Sequence, residues 1–536
     1  MREGGRAVDS FRLDRRMLLG GAAATGLVLA SHAYAADDAP EAATQYGRVR
    51  GFVDGGMAVF RGIPYGAPTG GGSRFVAADP PKSWAVRECR KFGDQCPQAA
   101  SKGPAAWASW AVNVGETEDC LSLNVTTPAV GEGKRPVMVW IHGGGFSIYN
   151  GSSPVYDGVR LAQKGDVVVV SVNHRLNAFG YLYLGLAGER FADSGNIGQL
   201  DLVMALQWVR DNIAGFGGDP GRVMLFGEDG GGAKISTLMA MPAAKGLFHR
   251  AAIQSGAKLT ALTPDQAAET TAAICDYLHV NPKNAGDLQR APTNRLVDAV
   301  EALTKAGKAN FGPVVDGHTL PTDPFSPGAP TLTADVPVIV GYNATETTVL
   351  GAEPALFDLD WGGLKDRLAH VAGDDAGSLI DSFKRLHPSA SPSDLWFRIT
   401  TLKGMGASAI TLAERKAALA AAGAYVYRLE FETPVDRLRS PHALDLPLVF
   451  DNVGKSGSLL GPVADQAQHV ADQMSAAWIA FAHTGSPNGV GLASWPRYDP
   501  RARSTMLFNG VSRAVNDPYS EERRLVAALP ATHPAA

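Results

Sequence analysis

Short, nearly continuous apolar runs recur along the chain at residues 137–141, 167–172, 223–226 and 338–340, each closed by glycine or a polar turn. Runs of this kind mark strands covered on both faces. Between them the spacing changes. Within residues 201–213, Leu202, Ala205, Leu206, Val209 and Ile213 recur at helical intervals and share one side of a helix. Strand, helix and strand in alternation predict a mostly parallel sheet with helices on both faces, an α/β fold. Residues 265–308 and 364–422 carry further helical patterns with one polar side. They are expected to cap the carboxyl ends of the strands, where such sheets bind ligands, and so to shape the pocket. No long Pro/Gly/Ser linker interrupts residues 36–536, which predicts one large domain with loop excursions.

Residues 1–35 read differently. Arg15 and Arg16 precede Met17, Leu18 and Leu19, a stretch rich in Ala and Gly runs to Ala30, and Ala33-Tyr34-Ala35 follows. A charged region, a short apolar region and an A-x-A site make a secretory signal. The paired arginines suggest the twin-arginine route, hence a folded protein exported to the periplasm or beyond. The apolar region is shorter than the roughly 20 residues that span a bilayer, so cleavage is expected rather than anchoring, with no membrane association afterwards.

Composition narrows the partners. The formal charge of −4, with 19% charged and 45% hydrophobic residues, gives no reason to expect nucleic acid. No dinucleotide fingerprint or metal-ligand spacing is present, so neither cofactor nor metal is expected, and the partner is a small-molecule substrate. Nothing in the pattern bears on oligomeric state. Cys89, Cys96, Cys120 and Cys275 show no zinc-type pairing, and an oxidising compartment would allow a disulfide.

Two glycine-rich motifs carry the chemistry. His142-Gly143-Gly144-Gly145-Phe146 follows the first apolar run directly, and consecutive glycines let backbone N–H groups converge on an oxyanion. Phe226-Gly227-Glu228-Asp229-Gly230-Gly231-Gly232 has the shape of a nucleophile elbow, G-x-S-x-G, at a sharp strand-to-helix turn. Its central residue is aspartate instead of serine.

These motifs, in order with several others, make the chain resemble the type B carboxylesterase family of α/β-hydrolases across nearly its whole length. Matching segments include Phe60-Arg61-Gly62-Ile63-Pro64-Tyr65, Glu118-Asp119-Cys120-Leu121, Gly195-Asn196-Ile197-Gly198 and Phe216-Gly217-Gly218-Asp219-Pro220. Gln254-Ser255-Gly256 and Gly485-Ser486-Pro487-Asn488 extend the match. The resemblance implies a Ser-His-Glu triad. Its acid maps onto Glu346, in Gly341-Tyr342-Asn343-Ala344-Thr345-Glu346, and its base onto His442, in His442-Ala443-Leu444-Asp445-Leu446-Pro447. The implied oxyanion donors are the N–H groups of Gly144, Gly145 and Gly230. Ser255 is implied as a support of the triad, and Cys96 with Cys120 as the family's first disulfide.

Asp229 stands where the family has its serine. Loss of that serine costs on the order of a millionfold in turnover, so the usual acyl-enzyme route is not expected. Attack by Asp229 on an ester carbonyl mostly reverts, because a carboxylate of pKa about 3.9 is a far better leaving group than an alkoxide. Hydrolysis of a small ester, lactone or related molecule through an Asp-His-Glu site is the principal expectation. Within it, Asp229 could displace a leaving group from saturated carbon, as in epoxide or halide hydrolysis. It or His442 could instead act as base on water, or promote elimination over an oxyanion hole. A non-catalytic binding protein is the remaining alternative. Glu228 is expected beside the site. Lys234, five residues after Asp229 on a helix expected to be buried, either compensates the charge of Asp229 or Glu228 or extends its ammonium to the surface.

Overall fold

The structure, a computed structural model, describes residues 39–530 except 101–102, 283, 351–352 and 490. The segment read as an export signal, residues 1–35, lies outside the described residues. All the described residues belong to one compact unit, Ala33–Ala536.

The main sheet has eleven strands among the described residues. In chain order they are β1 (Phe52–Asp54), β2 (Met57–Pro64), β3 (Ser122–Thr127), β4 (Gly131–Ile141), β5 (Val168–Val172) and β6 (Phe216–Glu228). The others are β7 (Arg250–Gln254), β8 (Val338–Asn343), β9 (Ala424–Leu429), β10 (Ser504–Phe508) and β11 (Arg513–Asn516). Their spatial order is β11-β10-β9-β8-β7-β6-β4-β5-β3-β2-β1. Pairing is parallel from β10 through to β5 and antiparallel at both margins. All four apolar runs seen in the sequence are central strands, and their burial on both faces explains why they are not amphipathic.

Helices cover both faces. The helix Ile197–Asn212 buries Leu202, Ala205, Leu206 and Val209, and Ile213 follows in a 3-10 turn. Burying one such aliphatic side chain stabilises the fold by about 1.5–3 kcal/mol. The expected cap regions are helical, as Pro264–Leu278, Ala285–Arg290 and Thr293–Lys305 in one and Trp361–Ala372, Ala376–Leu386, Pro392–Thr401 and Ala407–Ala418 in the other. The second region braces the turn that carries Glu346: Thr347 Oγ1 lies 2.7 Å from Thr400 Oγ1.

Register aligns the ends that matter. Ile141 pairs with Gly227, and Glu228 pairs with Gln254. The glycine triplet, the elbow and Ser255 therefore emerge side by side from β4, β6 and β7.

Candidate active site

Asp229 sits at the corner between β6 and the helix Gly230–Leu238, with φ 53° and ψ −123°. A non-glycine residue held there costs roughly 1–3 kcal/mol, which surrounding contacts must offset. Glycines make the corner possible by close approach. A Cβ on Gly230 would fall 2.0 Å from the carbonyl oxygen of Gly145, and one on Gly231 would fall 2.0 Å from that of Ile141.

The glycine triplet then closes on the aspartate. The N–H groups of Gly144 and Gly145 each donate to Asp229 Oδ2 at 2.9 Å, and the Gly230 N–H also bonds the carboxylate. One carboxylate oxygen thus occupies the place that the Gly144 and Gly145 N–H groups offer to an oxyanion. The other oxygen, Oδ1, lies 3.8 Å from His442 Nε2, and the side chain keeps 30% of its surface open.

His442 is buried between carboxylates. Its Nδ1 meets Glu346 Oε2 at 2.6 Å. Glu346 is fully buried, and its Oε1 accepts from the Ser255 hydroxyl at 2.6 Å and the Asn343 N–H at 2.7 Å. On the other side, His442 Nε2 is 3.0 Å from Glu228 Oε1, closer than it is to Asp229. Glu228, expected only beside the site, is thus the direct partner of the imidazole.

The protonation states follow. Burial alone would lower His442, but the carboxylates of Glu228 and Glu346 outweigh it and raise the imidazole well above its ordinary range. Burial would raise Asp229, yet His442, the Gly145 and Gly230 N–H groups and Lys234 together hold it below the usual carboxylate range. Burial, opposed by His442 and reinforced by Asp229 and Asp445, pushes Glu228 up to about 8. These directions favour the anionic form of Asp229 and the cationic form of His442, with Glu228 holding a proton more readily than an ordinary carboxylate.

Lys234 follows the charge-compensation expectation only at a distance, and not the surface alternative. It is fully buried, so its ammonium does not extend to the surface. It is hydrogen bonded to the carbonyl oxygens of His142 at 3.1 Å and Gly145 at 2.8 Å, not to either carboxylate. Its influence on Asp229 acts across the loop.

A cavity of about 500 Å³ opens over Asp229, Glu228 and His442. Its walls come from residues 95–116 and 143–156 and from Leu350, Ala443 and Leu446, with none from the two helical regions expected to cap it. Trp107 and Trp110 stack at 6.0 Å between ring centroids, and Trp107 lies 6.2 Å from the His442 ring. Glu116, Glu228 and Asp229 line the cavity, and neither Lys nor Arg does so among the described residues. The aromatic arm was not singled out in the sequence, although two tryptophans three residues apart in an alanine-rich segment were its signal.

All four cysteines are buried and carry no disulfide in the structure, and the Cys96–Cys120 bond implied by resemblance stays an expectation. The two are nonetheless neighbours, with the Cys120 thiol raised well above its usual range by its hydrogen bond to Cys96 and by burial. Away from the cavity, Asp193, Asp316 and His318 are the described residues placed closely enough to share a cation. Asp316 is already engaged there by Asn196, Thr319 and two backbone N–H groups.

A parallel sheet with an elbow at the end of a central strand, a glycine-rich donor loop and a buried His–Glu pair defines an α/β-hydrolase. Residues 38–355 match the carboxylesterase family. The chain is 35% identical over 489 residues to a para-nitrobenzyl esterase of Bacillus subtilis (strain 168), covering 90% of this chain and 97% of that protein. It is 34% identical over 477 residues to a fumonisin B1 esterase of Sphingopyxis macrogoltabida, covering 85% and 84% respectively. Among solved structures, a Geobacillus stearothermophilus carboxylesterase superposes with a TM-score of 0.80 at 37% identity, covering 90% of this chain and 99% of that one. The chain belongs to the carboxylesterase family and is a carboxylesterase-like hydrolase.

Proposed function

We propose that this protein hydrolyses a small uncharged or cationic organic molecule, an ester, lactone or related electrophile, through a covalent intermediate on Asp229. The observation that carries this reading is the division of labour in its carboxylate: Oδ2 is held by the glycine N–H groups while Oδ1 faces His442 and the cavity. With its oxyanion site filled by Asp229, the protein has no free place for an ester carbonyl oxygen. Attack by Oδ1 on a saturated carbon needs no such place.

The first step forms a bond between Oδ1 and that carbon and breaks the carbon's bond to the leaving oxygen. His442, protonated at Nε2, gives its proton to that oxygen and becomes neutral. In the second step neutral His442 takes a proton from water, and the oxygen attacks Cγ of the Asp229 ester. Oδ2 then carries the negative charge, already in contact with the Gly144 and Gly145 N–H groups. Collapse breaks the Cγ–Oδ1 bond, and the alkoxide leaves with the proton from His442. The product keeps Oδ1, Asp229 keeps the oxygen of water, and the new carboxyl passes its remaining proton to His442, which restores the starting pair.

The held ionisation of Asp229 argues against the base roles, since a depressed pKa makes a weak base. The aromatic walls and the carboxylates among the described lining residues, which include neither Lys nor Arg, support an uncharged or cationic substrate. The test is one turnover in heavy-oxygen water followed by mass spectrometry of the peptide containing Asp229. One heavy oxygen in Asp229 is expected, and turnover with label only in the product would overturn the covalent route.

We also propose that residues 1–35 direct export. Protein recovered from the periplasm is expected to begin at Ala36, and a mature chain that still begins at Met1 would refute this.

A further inference from the structure

The loop that grips Asp229 is itself gripped. Each carbonyl oxygen from His142 to Gly145 has a hydrogen-bond donor. Lys234 Nζ serves His142 and Gly145, at 3.1 and 2.8 Å. His142 Nδ1 lies 2.9 Å from the Gly143 oxygen, and the Ser147 and Ile148 N–H groups reach the Gly144 oxygen at 3.2 and 3.1 Å.

This pattern bears on function through the peptide planes. The N–H of Gly144 belongs to the same peptide as the Gly143 carbonyl, and that of Gly145 to the same peptide as the Gly144 carbonyl. The peptides on either side present their oxygens, of His142 and Gly145, to Lys234. The ammonium therefore fixes the orientation of both peptides that flank the donating pair. Glycine supplies no side chain to hold such a loop, and Gly144 and Gly145 both have positive φ, at 83° and 57°. Without an external clamp their planes could rotate at little steric cost.

The placement of the lysine is otherwise unexplained. A fully buried ammonium is expensive without a partner, and no carboxylate lies within ion-pair distance of Nζ among the described residues. The ring of Phe146 packs 5.5 Å from it.

We propose that Lys234 is a positioning residue: its ammonium, bonded to the His142 and Gly145 carbonyls, aims the Gly144 and Gly145 N–H groups at position 229. The role holds whichever reaction Asp229 performs, because it concerns the donors and not the nucleophile.

Crystal structures of the full chain and of Lys234→Met test it directly. The methionine keeps the length and burial of the side chain and removes the donors. The expected result is rotation of the 143–145 peptides, with both contacts to Asp229 Oδ2 stretched beyond hydrogen-bond reach. A Lys234→Met loop superimposable on the native one, with both contacts near 2.9 Å, would overturn the proposal.

A kinetic arm uses Asp229→Ser, which places a hydroxyl at the elbow, assayed with p-nitrophenyl acetate. Adding Lys234→Met is expected to lower kcat about 10²–10³-fold, the effect of losing an oxyanion donor, with KM within about twofold. Lys234→Arg, which keeps a buried donor, is expected to recover part of kcat. Equal fall in Met and Arg variants would make Lys234 a packing residue and overturn the proposal. Should Asp229→Ser be inactive, the crystal structures decide. Failure of both Lys234→Met and Lys234→Gln to fold would assign the lysine to stability alone and overturn it as well.

Discussion

His442 Nε2 lies nearer to Glu228 Oε1, at 3.0 Å, than to Asp229 Oδ1, at 3.8 Å. The imidazole thus has a carboxylate at each nitrogen, and the elbow residue is the more distant of the two acids on its Nε2 side. The pairing favours the protonated form of His442, the form that the first step of the proposed reaction requires.

Glu228→Gln should lower the pKa of His442. One of the two carboxylates that raise the imidazole is removed, and an opposite charge at this range shifts a pKa by about 1–3 units. Titration of histidine-labelled protein by nitrogen NMR measures this, with His442→Gln identifying the resonance. An unchanged midpoint would mean that Glu346 alone holds the proton.

Asp229→Ser should vacate the oxyanion site and supply a nucleophile for the acyl route. Hydrolysis of p-nitrophenyl acetate is expected to rise on the order of 10³-fold or more over the native chain, with Asp229→Ala remaining inactive. A silent Asp229→Ser variant would show that the remaining machinery, with His442 held by Glu228, cannot activate a serine.

The same variant should discriminate by charge. Among the described residues carboxylates line the cavity and neither Lys nor Arg does, so p-nitrophenyl acetate should be preferred over a p-nitrophenyl ester carrying a free carboxylate. A preference of about tenfold corresponds to 1.4 kcal/mol of repulsion. Comparison of kcat/KM at low salt checks this, and equal values would remove the argument for an uncharged or cationic substrate.

Stability should depend on pH through Lys234. Burial lowers its pKa to about 7, against roughly 10.4 in an unfolded chain. Between these values the unfolded chain holds a proton that the folded chain has lost, so this contribution rises with pH across the window and is flat below it. Relative to Lys234→Met, the native protein should gain stability between pH 7 and pH 9.5. Urea unfolding at the two pH values measures the difference, and parallel behaviour of the two proteins would contradict the burial of a titrating ammonium.

Gly230→Ala should damage the elbow itself. The new Cβ would lie 2.0 Å from the Gly145 oxygen, a backbone atom that cannot swing aside. A loss on the order of 2–4 kcal/mol is expected in urea unfolding. An unaffected midpoint would mean that the elbow and the glycine triplet are less closely packed.

What the sequence by itself determined is the local backbone and its order. Apolar runs became central strands because burial on both faces favours apolar side chains at nearly every position, as at Val168–Val172. The glycines at 143–145 and 230–232 reported the donor loop and the sharp turn because only a missing Cβ permits so close an approach. The positions of Asp229, His442 and Glu346 were legible through motifs of the same kind. Only the tertiary structure decided which atoms meet. Lys234 reaches a carbonyl 92 residues away, and His442 meets Glu346 across 96. The choice between Glu228 and Asp229 as partner of His442 rests on 0.8 Å, the difference between 3.0 and 3.8 Å. The cavity wall came from residues 95–116 instead of the helical regions for a related reason: periodicity identifies a helix but not the end of the sheet it covers. Side-chain partnerships depend on distances between atoms far apart in the chain, and those are set by packing, not by spacing.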